Sequence, residues 1–185
     1  MFKDRLKDSR LKRGIAPVIS GPVDVLALFL ASGFGSGFIP FAPGTFGSLV
    51  GCLIAYVLIS VSAANALLLQ NLLIIASVLL AVLGFWSASR AEKIFGRKDA
   101  SQIVIDEVCG QVISFVFIAP SLVVPGPQLF WWFGIAFGLF RIFDILKPYP
   151  INALQDLKGG LGVMMDDIFA GIYAALILEL IIFVR

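Results

Sequence analysis

The chain contains no histidine. That excludes phosphatases with a histidine nucleophile, phospholipases of the HKD type, Ser-His-Asp hydrolases and histidine-ligated zinc sites. Cysteine is nearly absent too. Cys52 and Cys109 both lie inside apolar runs, with neither a CxxC spacing nor a metal-ligand pattern, and each reads as a small buried hydrophobe. Charge is scarce: 14% of the residues are Asp, Glu, Lys or Arg, where a soluble domain carries about 25%. No polar stretch exceeds about 20 residues, too short for a soluble core of its own.

Apolar residues take the place of charge. They make up 59% of the 185 residues, with mean hydropathy +1.00. Apolar runs long enough for a hydrocarbon core of about 30 Å recur along the chain. The expected fold is all-α: a polytopic membrane helix bundle of about five transmembrane helices plus an N-terminal interfacial or re-entrant helix. The expected spans are 46–61, about 66–88, about 103–119, about 129–146 and about 163–184. Residues 1–22 form a basic tail, and 23–185 a single transmembrane catalytic domain. Residues 23–32 are apolar but too short to span. They run into GFGSGFIPFAPGTFGS at 33–48, too rich in Gly and Pro to continue a helix. Such backbone survives at membrane depth only where protein or a water-filled cavity satisfies it. Its amides, leading into a helix N-terminus, suit an anion; a plain linker would look similar.

The charges that exist are sorted by side. The segment MFKDRLKDSRLKR at 1–13 has six Lys/Arg against two Asp, and no small-residue cleavage site follows it, so it reads as a headgroup-facing tail rather than a secretory signal. Residues 62–65 and 120–128 have no charge, whereas 89–102 carry Arg90, Lys93, Arg97 and Lys98 against Glu92 and Asp99, and 147–162 carry Lys147 and Lys158. The positive-inside rule then puts the N-terminus, 89–102 and 147–162 in the cytoplasm.

Five acids in or beside these runs carry a functional reading. Asp106–Glu107 and Asp166–Asp167 each sit at the fourth and fifth residues of an apolar run, in IVIDEVCG and VMMDDIFAG. Each pair is expected about one helical turn inside the cytoplasmic end of its span. Asp144 lies at a similar depth on the fourth span, and Thr45 starts the first span on the same side. A carboxylate mid-span costs about 2.5–3.5 kcal/mol on insertion scales, so these groups should face the bundle interior. Gly110 follows Asp106 by four residues, and Ala170 and Gly171 follow Asp166 and Asp167 by four. Small residues thus share a face with the acids and permit close helix approach.

Crowded carboxylates call for a compensating cation, and Mg²⁺ takes oxygen ligands from carboxylates, water and phosphate. Arg141, Asp144 and Lys147, spaced i, i+3, i+6, offer a carboxylate between two cations along one stripe. Metal, cationic clamp and a positioning group are the parts phosphoryl transfer needs. Simpler readings stand beside this one. Acids in a first helical turn complement the macrodipole, Arg141 could pair with Asp144, and Lys147 could be a snorkelling terminus. Asp24 and Glu179 carry no functional reading.

The blocks GFGSGFIPFAPGTFGS (33–48), IVIDEVCG (103–110), FRIFDILKPYPI (140–151) and GGLGVMMDDIFAG (159–171) together resemble the phosphatidylglycerophosphatase A family of bacterial membrane enzymes. The resemblance covers about 23–183. It implies Mg²⁺-dependent hydrolysis of phosphatidylglycerophosphate to phosphatidylglycerol and phosphate at the cytoplasmic surface of the inner membrane. By position it implies a functional set of Thr45, Asp106, Glu107, Asp144, Lys147, Asp156, Asp166 and Asp167. Where some members have a histidine before the glycine pair, this chain has Lys158. On this reading Asp106, Glu107, Asp166 and Asp167 hold the metal, and Asp144 completes the site or serves as base. Arg141, Lys147, Asp156 and Lys158 lie with the substrate phosphate, and the Gly44–Ser48 segment, including Thr45, Gly47 and Ser48, donates amides to it. The nucleophile stays open between a metal-activated water and an aspartate, with no DxDxT motif to favour the latter. The alternative is an ion-coupled transporter using the carboxylates as a cation site. Against it, such sites lie near the midplane between inverted repeats, and these acids lie near one end. The DGxxAR…GxxxDxxxD spacing of CDP-alcohol phosphotransferases is absent.

Overall fold

The computed structural model describes residues 19–62, 65–118, 127–154, 157 and 159–184. Among them there is no strand. The helices in chain order are α1 (Pro22–Ala31), α2 (Pro43–Ser62), α3 (Ala66–Phe95), α4 (Ile105–Ile113), α5 (Pro127–Leu146), the single turn α6 (Ile151–Leu154) and α7 (Gly160–Val184), with a 3-10 turn at Ser36–Phe38 between α1 and α2. Local chemistry sets several of these ends. Proline opens α1, α2 and α5, where its missing N–H costs nothing. The Asn65 side chain accepts the Leu68 N–H at the start of α3, and Gly96 ends that helix in the left-handed conformation, as glycine does at helix C-termini.

Helices α2, α3, α5 and α7 are long and apolar enough to cross a membrane. Their outer faces are greasy: Leu49, Leu53, Val57 and Val61 repeat every four residues along α2, all exposed. In water such a stripe would be an aggregation hazard; against lipid it is neutral.

The third expected span, 103–119, is not one. Its helix is nine residues long, about 13 Å, and gives way to turns at Ser114–Phe117. The run is apolar because it is buried in protein. Helix α4 is enclosed by α2, α3 and α7, with α5 closing one side, and Ile105, Asp106, Val108, Cys109, Gly110, Gln111 and Val112 are all buried. Irregular backbone is tolerable there because it is shielded and satisfied. The N–H groups of Phe115, Val116 and Ile118 each donate three residues back, and Gln111 Nε2 donates to Ser114 Oγ at 2.9 Å.

Other bounds shift less. Helix α3 runs to Phe95 rather than residue 88, about 45 Å in all, and its partners are α1, α4 and α7, with a smaller contact to α2. Helix α7 begins at Gly160, three residues before the expected 163. Helix α1 is too short to cross, as expected, and packs on α3. Asp24, assigned no role from sequence, ties the two together. It accepts from Arg90 Nε at 2.5 Å and from the Ser20 N–H at 2.7 Å. The Ser20 hydrogen bond, then Arg90, hold its carboxyl below the ordinary carboxylate value.

The tightest helix contact is between α4 and α7. A Cβ on Gly171 would collide with the Gly110 carbonyl, and one on Gly110 would lie 2.5 Å from the Asp167 carbonyl oxygen. The two backbones touch, as the small residues near the acids led one to expect. By contrast, a Cβ on Gly134 of α5 meets nothing within 4 Å. Gly171→Ala is therefore expected to destabilise the protein by about 1–3 kcal/mol through overpacking, read as a lower Tm in detergent. Gly134→Ala should leave Tm unchanged or raise it; equal losses in both would contradict the packing described.

Candidate active site

The start of α4 is fixed by α1. The Val104 N–H donates to the Ala31 carbonyl at 2.8 Å, so Asp106 and Glu107 enter the bundle in the first turn of α4. Asp166 and Asp167 are the seventh and eighth residues of α7, about two turns in rather than the one expected, because that helix starts early. The contact of Gly110 with Asp167 and Gly171 brings the two pairs to one level.

They open on a cavity of about 360 Å³. Helix α4 contributes Asp106 and Glu107, and α7 contributes Gly162, Val163, Asp166 and Asp167. Asp144 and Lys147 come from the end of α5, and Lys98 and Asp99 from the turn after α3. Sequence reasoning missed the last two. The stretch 89–102 was read for the sign of its charge, while what turns Asp99 toward the cavity is a left-handed backbone, φ +49°, which composition does not reveal.

One carboxylate oxygen from each of Asp106, Glu107 and Asp167 lies within 4.8 Å of the others. Asp106 and Asp167 are 7% and 3% exposed, and Asp106 Oδ1 and Glu107 Oε2 are buried with no hydrogen-bond partner among the described residues. Burying unpaired carboxylate oxygens costs several kcal/mol unless a cation or proton compensates. An all-oxygen donor set of this kind fits a hard divalent cation.

Two cations border the acids. Lys147 Nζ pairs with Asp166 Oδ2 at 2.6 Å, and Arg141 Nη1 with Asp144 Oδ2 at 2.7 Å. The simpler reading of Arg141, a pair with Asp144, is thus realised in the geometry. Its guanidinium also reaches Ser48 Oγ of α2 at 3.5 Å, the long end of a hydrogen bond. Lys147 lies one residue beyond α5 in a left-handed conformation, φ +43°, which carries it toward α7. Burial pulls its ammonium pKa down, but the Asp166 hydrogen bond and the charges of Asp166, Asp167 and Asp144 outweigh that and hold it above the ordinary value.

The first turn of α2 closes the remaining side. A Cβ on Gly44 would collide with Glu107 Oε1 and lie 3.4 Å from Arg141 Nη1, so a larger residue there would displace the Glu107 carboxylate. Thr45 follows, half-buried. Ser48 is buried and donates to the Gly44 carbonyl at 3.0 Å. Gly47 packs on Val104. Asp156 and Lys158 lie outside the described residues.

The sequence pattern of the phosphatidylglycerophosphatase A family matches residues 29–182, from the end of α1 almost to the end of α7. A Bacteroides thetaiotaomicron protein named "Putative phosphatidylinositol-3-phosphatase" is 41% identical over 154 residues, 83% of this chain and 91% of its own length. Proteins named phosphatidylglycerophosphatase A align from Haemophilus influenzae, 41% identical over 80% of this chain and 83% of that one, and from Escherichia coli, 34% identical over 82% and 81%. No solved structure matches. The family match spans both acid pairs, the cationic stripe and the glycine-rich turn, and it decides between hydrolase and transporter: this chain belongs to the phosphatidylglycerophosphatase A family and is a membrane lipid phosphatase.

Proposed function

We propose that the protein hydrolyses the phosphomonoester of phosphatidylglycerophosphate to phosphatidylglycerol and inorganic phosphate, using Mg²⁺ at the cytoplasmic face of the bacterial inner membrane. The observation that carries this reading is the convergence of Asp106, Glu107 and Asp167 oxygens around one point, two of the carboxylates with a buried and unpartnered oxygen. Asp106, Glu107 and Asp167 would hold the ion, with Asp166 and Asp144 adjoining. When bound, Mg²⁺ neutralises the carboxylate layer and polarises phosphoryl oxygens.

The chain's own groups do the rest. Lys147 and Arg141 exchange part of their contact with Asp166 and Asp144 for phosphate oxygens, so the clamp is charged and in place before substrate arrives. Amides in the first turn of α2 add donors beside Glu107. Asp144, with Oδ2 held by Arg141, offers its other oxygen to take the proton of an attacking water. The phosphorus–oxygen bond to the glycerol breaks, and the leaving oxygen is protonated from solvent. The basic residues Arg90, Lys93, Arg97 and Lys98 lie on or just after the end of α3 that meets the cavity. This supports a cytoplasmic orientation by the positive-inside rule.

Purified protein is expected to release phosphate from phosphatidylglycerophosphate in detergent, with the release abolished by EDTA and restored by Mg²⁺. Asp167→Asn should lower kcat/KM by about 10²–10³-fold. Metal-independent release at wild-type rate would sink the proposal. Arg141→Lys keeps the charge but not the guanidinium, whose Nη1 meets both Asp144 and Ser48 and whose planar fork would hold phosphate in two places. It should cost about ten-fold or more in kcat/KM while Tm barely moves; a fall in Tm with activity per folded protein intact would make Arg141 a structural brace only.

A further inference from the structure

We propose that Asp99 reads the polyol of the substrate headgroup, accepting a hydrogen bond from a hydroxyl of the alcohol that carries the reacting phosphate. This rests on the lipid phosphomonoesterase reading above and deepens it. Three features of the turn after α3 carry the inference.

The turn is built rather than slack. The Asp99 N–H donates to Glu92 Oε1 at 2.8 Å, and its carbonyl accepts from Arg97 Nη2 at 3.4 Å. On one side Gly96 caps α3. On the other Ala100 is fully buried, and its carbonyl accepts the Ile103 N–H at 2.7 Å.

Asp99 also holds a left-handed backbone, φ +49°. A non-glycine residue there costs roughly 1–2 kcal/mol, though Asp tolerates it better than most, and such residues gather at functional sites. Lys147, which lines the same cavity, is another of the few described non-glycine residues with positive φ.

The third feature is chemical. With its main-chain groups engaged, Asp99 presents an exposed carboxylate at the cavity rim. An ionised carboxylate only accepts hydrogen bonds. It repels phosphate, which Lys147 and Arg141 attract, so its favourable ligand beside a phosphomonoester is a hydroxyl donor. In this substrate class the hydroxyl belongs to the polyol between the lipid diester and the terminal phosphate. A site that hydrogen-bonds a substrate hydroxyl discriminates against analogues lacking it.

The test uses Asp99→Gly, which suits the left-handed backbone and removes only the carboxylate, and Asp99→Asn, which keeps an acceptor. Each is assayed in detergent on phosphatidylglycerophosphate and on phosphatidic acid of the same acyl chains, whose phosphomonoester has no polyol. Asp99→Gly should raise KM for the former about ten-fold, the worth of one hydrogen bond to a charged group, with kcat within two-fold. Asp99→Asn should lie between it and wild type, and neither should lower the rate on phosphatidic acid, for which losing the carboxylate removes only repulsion of the phosphate. Unchanged KM in Asp99→Gly, a fall in kcat alone, or equal losses on both lipids would overturn the proposal. So would a shift in the Mg²⁺ concentration for half-maximal rate, which would assign Asp99 to the metal's surroundings. If wild type released no phosphate from either lipid, the functional reading itself would fall, and this inference with it.

Discussion

Like charges resist being held together out of water, and that resistance organises this protein. Two acid pairs, on α4 and α7, are forced to one level by a backbone contact between Gly110 and the Asp167–Gly171 turn of α7. A larger residue at either glycine would part the helices and let water relieve the repulsion. With glycine, relief has to come from an ion, a proton or the flanking Lys147 and Arg141. The fold stores an electrostatic demand that a bound cation would satisfy.

The surrounding elements position what answers that demand. Helix α5 ends at the cavity so that Asp144 and Lys147 line it together with the turn after α3. Arg141 spans from Asp144 to Ser48, joining α5 to α2 across a gap where those helices touch little. Gly44 lets the first turn of α2 approach Glu107. Cations are thus tethered by the same acids they would leave for substrate, which keeps the clamp charged without committing it. A tethered cation shifts to a phosphate oxygen with little reorganisation, the condition under which electrostatic stabilisation is most effective.

The acids, the small residues four positions on and the cationic stripe were legible in the sequence because each is a local pattern with one physical meaning on a helix. The length of α4 was not. Hydropathy measures avoidance of water, and a segment enclosed by protein avoids water as well as one enclosed by lipid. Gln111 and Ser114, which bond to each other, were the only local hints. The role of Asp99 was hidden because a backbone dihedral, not a side-chain pattern, aims it. Asp24 looked idle because its partner, Arg90, is sixty-six positions away, beyond the reach of any local reading.

The shortness of α4 bears on how the protein is assembled. A nine-residue helix with two carboxylates in its first turn cannot rest in a bilayer by itself: it is too short to cross and too polar at one end to face lipid. Its enclosure includes α7, which follows it in the chain. Residues 105–113 must therefore wait, in the translocation machinery or near the membrane surface, until that helix arrives. The two acid pairs come together only once α7 has packed on α4, and a chain without α7 would leave Asp106 and Glu107 uncovered.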